Sequence, residues 1–202
     1  MKKIDLYKKI EVAKINLKAG NPLEANKIFQ ELLKTNNDSF DLLYEYGLFC
    51  KNLKNYNLAK SVFLTLIRKF PSSINSYILL AEILRMDNKF NDAEKVLQKA
   101  LKINPNHGDL LYNLSLLYLA LRRFDNALNY IDKAIEFSKN NFIYKLLKSE
   151  IHLNNNNLDK TINILNGLKN HNNIQKDNKE IRINILLANA YIKKREYEEA
   201  EN

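Results

Sequence analysis

Tryptophan is absent from this 202-residue chain, which also has only one cysteine, three prolines and four glycines. Each scarcity excludes something. The lone Cys50 cannot form an internal disulfide, which fits a reducing compartment and points to the cytoplasm. So few glycines leave no phosphate-cradling glycine loop. No uninterrupted apolar run approaches the ~18 residues needed to span a bilayer. The opening MKKIDLYKKIEVAKINLKAG lacks the unbroken apolar block and cleavage site of a secretion signal. A soluble protein with no membrane partner is expected. Histidine is sparse too: His107, His152 and His171 are separated by whole helices or loops, and no histidine, cysteine or carboxylate cluster has metal-ligand spacing. No catalytic residue, metal or cofactor is expected, and the chain reads as a non-enzyme. His107 reads as a loop residue after Pro105, His152 as a helix-end residue, and Cys50 as a small core residue in an apolar row.

Lysine, in contrast, is plentiful. The net charge of +9 would suit nucleic acid through counterion release from phosphates. Yet only six of the 32 basic residues are arginine, and lysine, asparagine and isoleucine are abundant together, as codon bias in an AT-rich genome would make them. At 46% hydrophobic and 27% charged residues, the composition is globular and can support a core.

Shifting the chain against itself by 34 residues aligns Ala13, Gly47, Ala81, Ser115 and Ser149, all small, and Ala25, Ala59, Ala93, Ala127 and Thr161, nearly all alanine. The same shift aligns Val12, Tyr46, Leu80 and Leu114, then Phe29, Phe63, Leu97, Ile131 and Leu165, and it places Pro71 and Pro105 at the ends of successive copies. Within residues 74–107, Tyr77, Leu80, Ala81 and Leu84 are spaced by three and four; DNKF interrupts, and Ala93, Val96, Leu97, Ala100 and Leu101 resume the pattern. That periodicity is helical, so each copy is a helical hairpin. Small side chains are needed where the two helices cross closely. Asn21-Pro22-Leu23-Glu24 reads as a helix start with an asparagine N-cap, proline at the first position and glutamate placed for a capping box.

These residues resemble the tetratricopeptide repeat family, a helix-turn-helix solenoid with a 34-residue period. Residues 74–107 match through Tyr77, Leu80, Ala81, Leu84, Ala93, Leu97, Ala100 and Pro105. Residues 108–141 match through Leu111, Leu114, Ser115, Tyr118, Ala127, Ile131 and Ala134, and residues 40–73 through Leu43, Tyr46, Gly47, Ala59, Phe63 and Pro71. Residues 6–39 match less fully, and 142–175 less again, with Lys148 where an apolar residue is expected. A sixth, incomplete copy over 181–202 presents Leu187, Ala188, Tyr191, Tyr197 and Ala200 after a longer connection at 170–178, and stops near the start of its second helix. The expected fold is therefore all-α: one right-handed superhelical solenoid of antiparallel helix pairs over residues 1–202. With no polar capping repeat, a fragment of a longer protein is expected. Pentatricopeptide and half-a-TPR RNA-processing repeats are rivals, which the exact period and the lack of tryptophan disfavour.

The resemblance implies a protein-interaction scaffold whose first helices line a concave groove for a peptide or partner segment. An alternative is the substrate-recruiting region of a larger enzyme, such as a glycosyltransferase or sulfotransferase, with the catalytic part elsewhere. RNA binding is a third class, requiring basic and aromatic side chains on the groove. The carboxylate clamp of chaperone-tail-binding arrays maps onto Ile10, Lys14, Glu45, Asn75 and Leu79; only Lys14 agrees, so such tails are not expected partners. By resemblance the groove rows are Tyr7, Glu11 and Lys14; Asp41, Glu45 and Leu48; Asn75, Leu79 and Glu82; Asp109, Asn113 and Leu116; and Ile143, Leu147 and Glu150. Six of these are acidic and one basic, whereas Lys60, Lys95, Lys99, Lys102 and Lys133 fall on second helices. The expected partner is a basic protein segment with one or two apolar anchors, not nucleic acid; the acids are otherwise an ordinary solvated face neutralised by Lys18, Lys51 and Arg85. Partner identity and oligomeric state are not legible in the sequence.

Overall fold

In the structure, a computed structural model, residues 3–170 and 178–201 are described. Among them the chain is all-α, with α1 (Lys3–Lys18), α2 (Pro22–Thr35), α3 (Phe40–Asn52), α4 (Tyr56–Lys69), α5 (Ile74–Met86), α6 (Phe90–Ile103), α7 (Gly108–Ala120), α8 (Phe124–Phe137), α9 (Phe142–Asn154), α10 (Leu158–Lys169) and α11 (Asn178–Glu201). They fall into two compact units, Met1–Ile103 and Asn104–Asn202. In the first, α1 pairs with α2, α3 with α4 and α5 with α6, and α2–α3 and α4–α5 contacts join the pairs. In the second, α7 pairs with α8 and α9 with α10; α8 packs on α9, and α10 on α11.

Local chemistry sets the helix ends. Ser39, Asn55 and Asn141 cap α3, α4 and α9 by accepting hydrogen bonds from first-turn amides. The capping box expected at Asn21 does not form: its side chain makes no cap hydrogen bond, and Pro22 starts α2 through its fixed φ alone. The helices α1, α3, α5, α7 and α9 end the same way. Gly20, Lys54, Asn88, Arg122 and Asn156, each 34 residues after the last, have φ between 55° and 80°. The following amide in each turn reaches back to a helix carbonyl five residues earlier, as in Asn55 to Cys50 at 2.9 Å and Lys89 to Leu84 at 2.8 Å. This is the Schellman termination, whose left-handed residue is usually glycine; here only one of the five is.

The two small-residue ladders meet in the hairpin cores. Ala13, Ser115 and Ser149 are fully buried, as are Ala25, Ala59, Ala93, Ala127 and Thr161 on the second helices. Where the small residue is polar it is satisfied internally: Ser115 Oγ donates to the Ala127 carbonyl at 2.9 Å, and Thr161 Oγ1 to that of Asn157 at 3.0 Å. Cys50 is buried as expected, and burial pushes its thiol up to about 11, so it is not a reactive thiolate.

The last helix departs from expectation. A turn ahead of Tyr197 would begin a second helix, but α11 is unbroken from Asn178 to Glu201. Ile183, Leu187 and Ala190 are buried against Leu165, Leu168 and Leu158 of α10. Ala188 is exposed and Tyr191 is 52% exposed. In the other repeats these two motif positions pack on the repeat's own second helix, which α11 does not fold back to supply. The side chains of Tyr197 and Ala200, and residues 171–177 with His171, lie outside the described residues.

Candidate interaction surface

The residues expected to line a groove lie on the first helix of each repeat, and cross-helix contacts tie many of them together. In the first unit, the Tyr7 hydroxyl on α1 donates to Asp41 Oδ2 on α3. Lys14 Nζ sits 2.9 Å from Glu11 and 3.4 Å from Glu45, and Lys51 Nζ lies 2.6 Å from Glu82 on α5. Of the other expected residues, Glu11 and Asn75 are exposed, and Leu48 and Leu79 are half-buried. The carboxylates hold Lys14 above its ordinary range, chiefly through the Glu11 hydrogen bond.

The second unit repeats the design. Tyr144 Oη on α9 donates to Asp109 on α7 at 2.6 Å; burial first, then Asp109, raise the phenol's pKa. Asn113 bonds the Asp109 carbonyl at 2.8 Å along its own helix, Leu116 is half-buried, and Arg182 of α11 reaches Glu150 at 2.6 Å. Two expectations need correcting. Leu147 does not line this face: it is 2% exposed, because α9 has first helices on both sides, α7 and α11. The acids are also not a bare row. Lys51 neutralises Glu82 as one of the three expected cations, Lys14 serves Glu11 and Glu45, and Arg182, unforeseen, serves Glu150.

Asp41 and Asp109 differ from the other acids. Their hydrogen bonds come from neutral phenols, which satisfy an oxygen without cancelling its charge. In the first unit four of the expected acids, Glu11, Asp41, Glu45 and Glu82, thus meet two lysines, Lys14 and Lys51. The lysines named on second helices, Lys95, Lys99, Lys102 and Lys133, lie on α6 and α8, with Lys60 half-buried on α4. For the carboxylate clamp, Ile10 is 3% exposed and Lys14 is already engaged by two glutamates. Among the described residues, no group of three or more His, Cys, Asp or Glu is placed to hold a metal ion. No described helix is long and apolar enough to cross a membrane.

Paired helices in stacked hairpins, within each unit, make this an all-α helical repeat protein. Residues 84–151 match the tetratricopeptide repeat family model. The chain is 28% identical over 126 residues to the mitochondrial import receptor subunit TOM70 of Mus musculus, covering 61% of this chain but 20% of the receptor subunit. It is 26% identical over 153 residues to the human protein O-mannosyl-transferase TMTC3, covering 74% of this chain and 17% of that protein. The chain thus spans about a fifth of the curated relatives it matches. The fold is also that of a thermophilic TPR protein in Thermus thermophilus, with TM-score 0.72 at 20% identity over 91% of this chain and 99% of that one.

Proposed function

We propose that the chain is a protein-interaction scaffold that holds a basic segment, with one or two apolar anchors, against its first helices. The observation that carries this reading is that, within each unit, a first-helix aspartate is paired with a phenol, Asp41 with Tyr7 in one and Asp109 with Tyr144 in the other, which leaves its charge uncancelled on a helix that also carries a half-buried leucine, Leu48 or Leu116. Arginine or lysine of a partner completes those carboxylates, and its apolar side chains cover the leucines. The same sign of charge disfavours RNA on this face. An import receptor subunit among the relatives is in keeping with a binding role, and the single buried cysteine with the cytoplasm. The match to an O-mannosyl-transferase over 153 residues supports a second reading, a recruiting region for an enzyme whose catalytic part lies outside this sequence.

Fluorescence anisotropy with two short labelled peptides tests the first reading. They share leucine anchors and differ only in bearing arginine or glutamate. The arginine peptide binds, more weakly as salt rises, and Asp41→Asn with Asp109→Asn weakens it while helicity is unchanged. Equal binding of the glutamate peptide, or indifference to both substitutions, overturns the reading.

A further inference from the structure

The fifth repeat breaks its own motif at two places four residues apart. Its seventh and eleventh residues are Lys148 and His152, where the second, third and fourth repeats carry Tyr46 and Cys50, Leu80 and Leu84, and Leu114 and Tyr118. Those six are 5% exposed or less. A spacing of four puts Lys148 and His152 on one face of α9, and in the structure both line a cleft of ≈ 440 Å³ with Leu128 and Asp132 of α8 and Lys160 and Ile164 of α10. His152 is 5% exposed, and its Nδ1 is buried with no hydrogen-bond partner among the described residues. A buried polar group at a position that accepts leucine elsewhere costs stability, so packing alone does not account for His152 at this position.

We propose that this cleft, on the second-helix side of the repeat and away from the first-helix face, binds an organic carboxylate with a short apolar body. The charge inventory selects a single anion. Lys148 is paired with Asp132 at 2.8 Å, so Lys160 is left over among the two lysines and one acid of the lining. The walls select an apolar body, since Leu128 and Ile164 line a volume larger than a carboxylate alone fills. Asn163, also in the lining, is a further donor. Burial, then the Lys148 and Lys160 charges, hold the His152 imidazole below its ordinary value, against the pull of Asp132. An arriving carboxylate offsets the two lysines and raises it, so binding strengthens as pH falls through the imidazole's titration.

The probe is N-acetyl-leucine, compared with N-acetyl-leucinamide, which keeps the body without the charge, with acetate, which keeps the charge without the body, and with inorganic phosphate. Calorimetry should give saturable binding of N-acetyl-leucine with a dissociation constant below about 1 mM, and NMR should show the His152 imidazole titrating at higher pH in its presence. Lys148→Leu and His152→Leu restore residues the chain uses at the same motif positions, so both fold; each weakens the probe about tenfold or more. Failure of the parent to bind N-acetyl-leucine, binding of the amide or of phosphate as tightly, or unchanged binding by both variants overturns the proposal. None of these readings depends on the first-helix face.

Discussion

The ring of Phe63 lies close against the backbone of Gly47: a Cβ added to the glycine would stand 2.8 Å from Cζ and within 3.1 Å of both Cε atoms. Phe63 is fully buried and has Tyr44 edge-on at 6.3 Å, so the ring has little room to move. Gly47→Ala gains up to about 1 kcal/mol of helix propensity but overpacks at about 1–3 kcal/mol, and a net loss is expected by chemical denaturation. Phe63→Leu in the same chain copies the third repeat, which carries Ala81 and Leu97 at these positions, and should recover most of the loss. Additive effects of the two substitutions would mean the contact is not the cause.

Ala93 has 0% exposure on α6, which packs against α5. Ala93→Leu should lower stability by about 1–3 kcal/mol, seen as a fall in melting temperature. A melt that does not move would contradict the crossing described.

The left-handed turn residues make a prediction of opposite sign. Lys54 and Arg122, with φ of 58° and 55°, hold a conformation that costs a side-chain-bearing residue about 1–2 kcal/mol. Lys54→Gly and Arg122→Gly should each stabilise by about 0.5–1 kcal/mol after the greater chain entropy of glycine is counted. Asn88 and Asn156 tolerate the same geometry better, so glycine there gains less. Gly20→Ala runs the other way and destabilises. Denaturant midpoints for these variants order the turns.

His152 makes stability depend on pH. Its folded pKa lies below the ordinary 6.5, from burial first and then the Lys148 and Lys160 charges. Below pH 6.5 the unfolded chain therefore takes up a proton that the folded chain refuses. Stability is whole above that value, falls as pH drops toward the folded pKa, and levels off below it. The difference in melting temperature between parent and His152→Leu should change across that interval and stay constant above it.

The helical hairpins, their period and the small residues at each crossing were legible because one packing solution recurs at a fixed spacing, and a single aligned alanine column carries it. Ion pairing was not. Lys14 chooses Glu11 and Glu45, and Arg182 chooses Glu150, because long side chains select among several acids by distances that only the packed helices define. Lys148 was visible as a departure from the motif, and His152 as a histidine near a helix end. The cleft uniting them needed the separation of α8 and α10, which no spacing along the chain encodes. For Ala188 and Tyr191 the motif identified the residues, but their burial depends on a second helix folding back.

The contacts that join successive first helices, Tyr7 to Asp41, Lys14 to Glu45, Lys51 to Glu82, Tyr144 to Asp109 and Arg182 to Glu150, all connect residues 31 to 35 positions apart. Such short reach makes loop closure cheap and folding fast. It also sets an order of assembly on the ribosome, where the chain emerges N-terminus first. Each hairpin finds its preceding neighbours already made, and a translation pause along the message leaves finished repeats behind it.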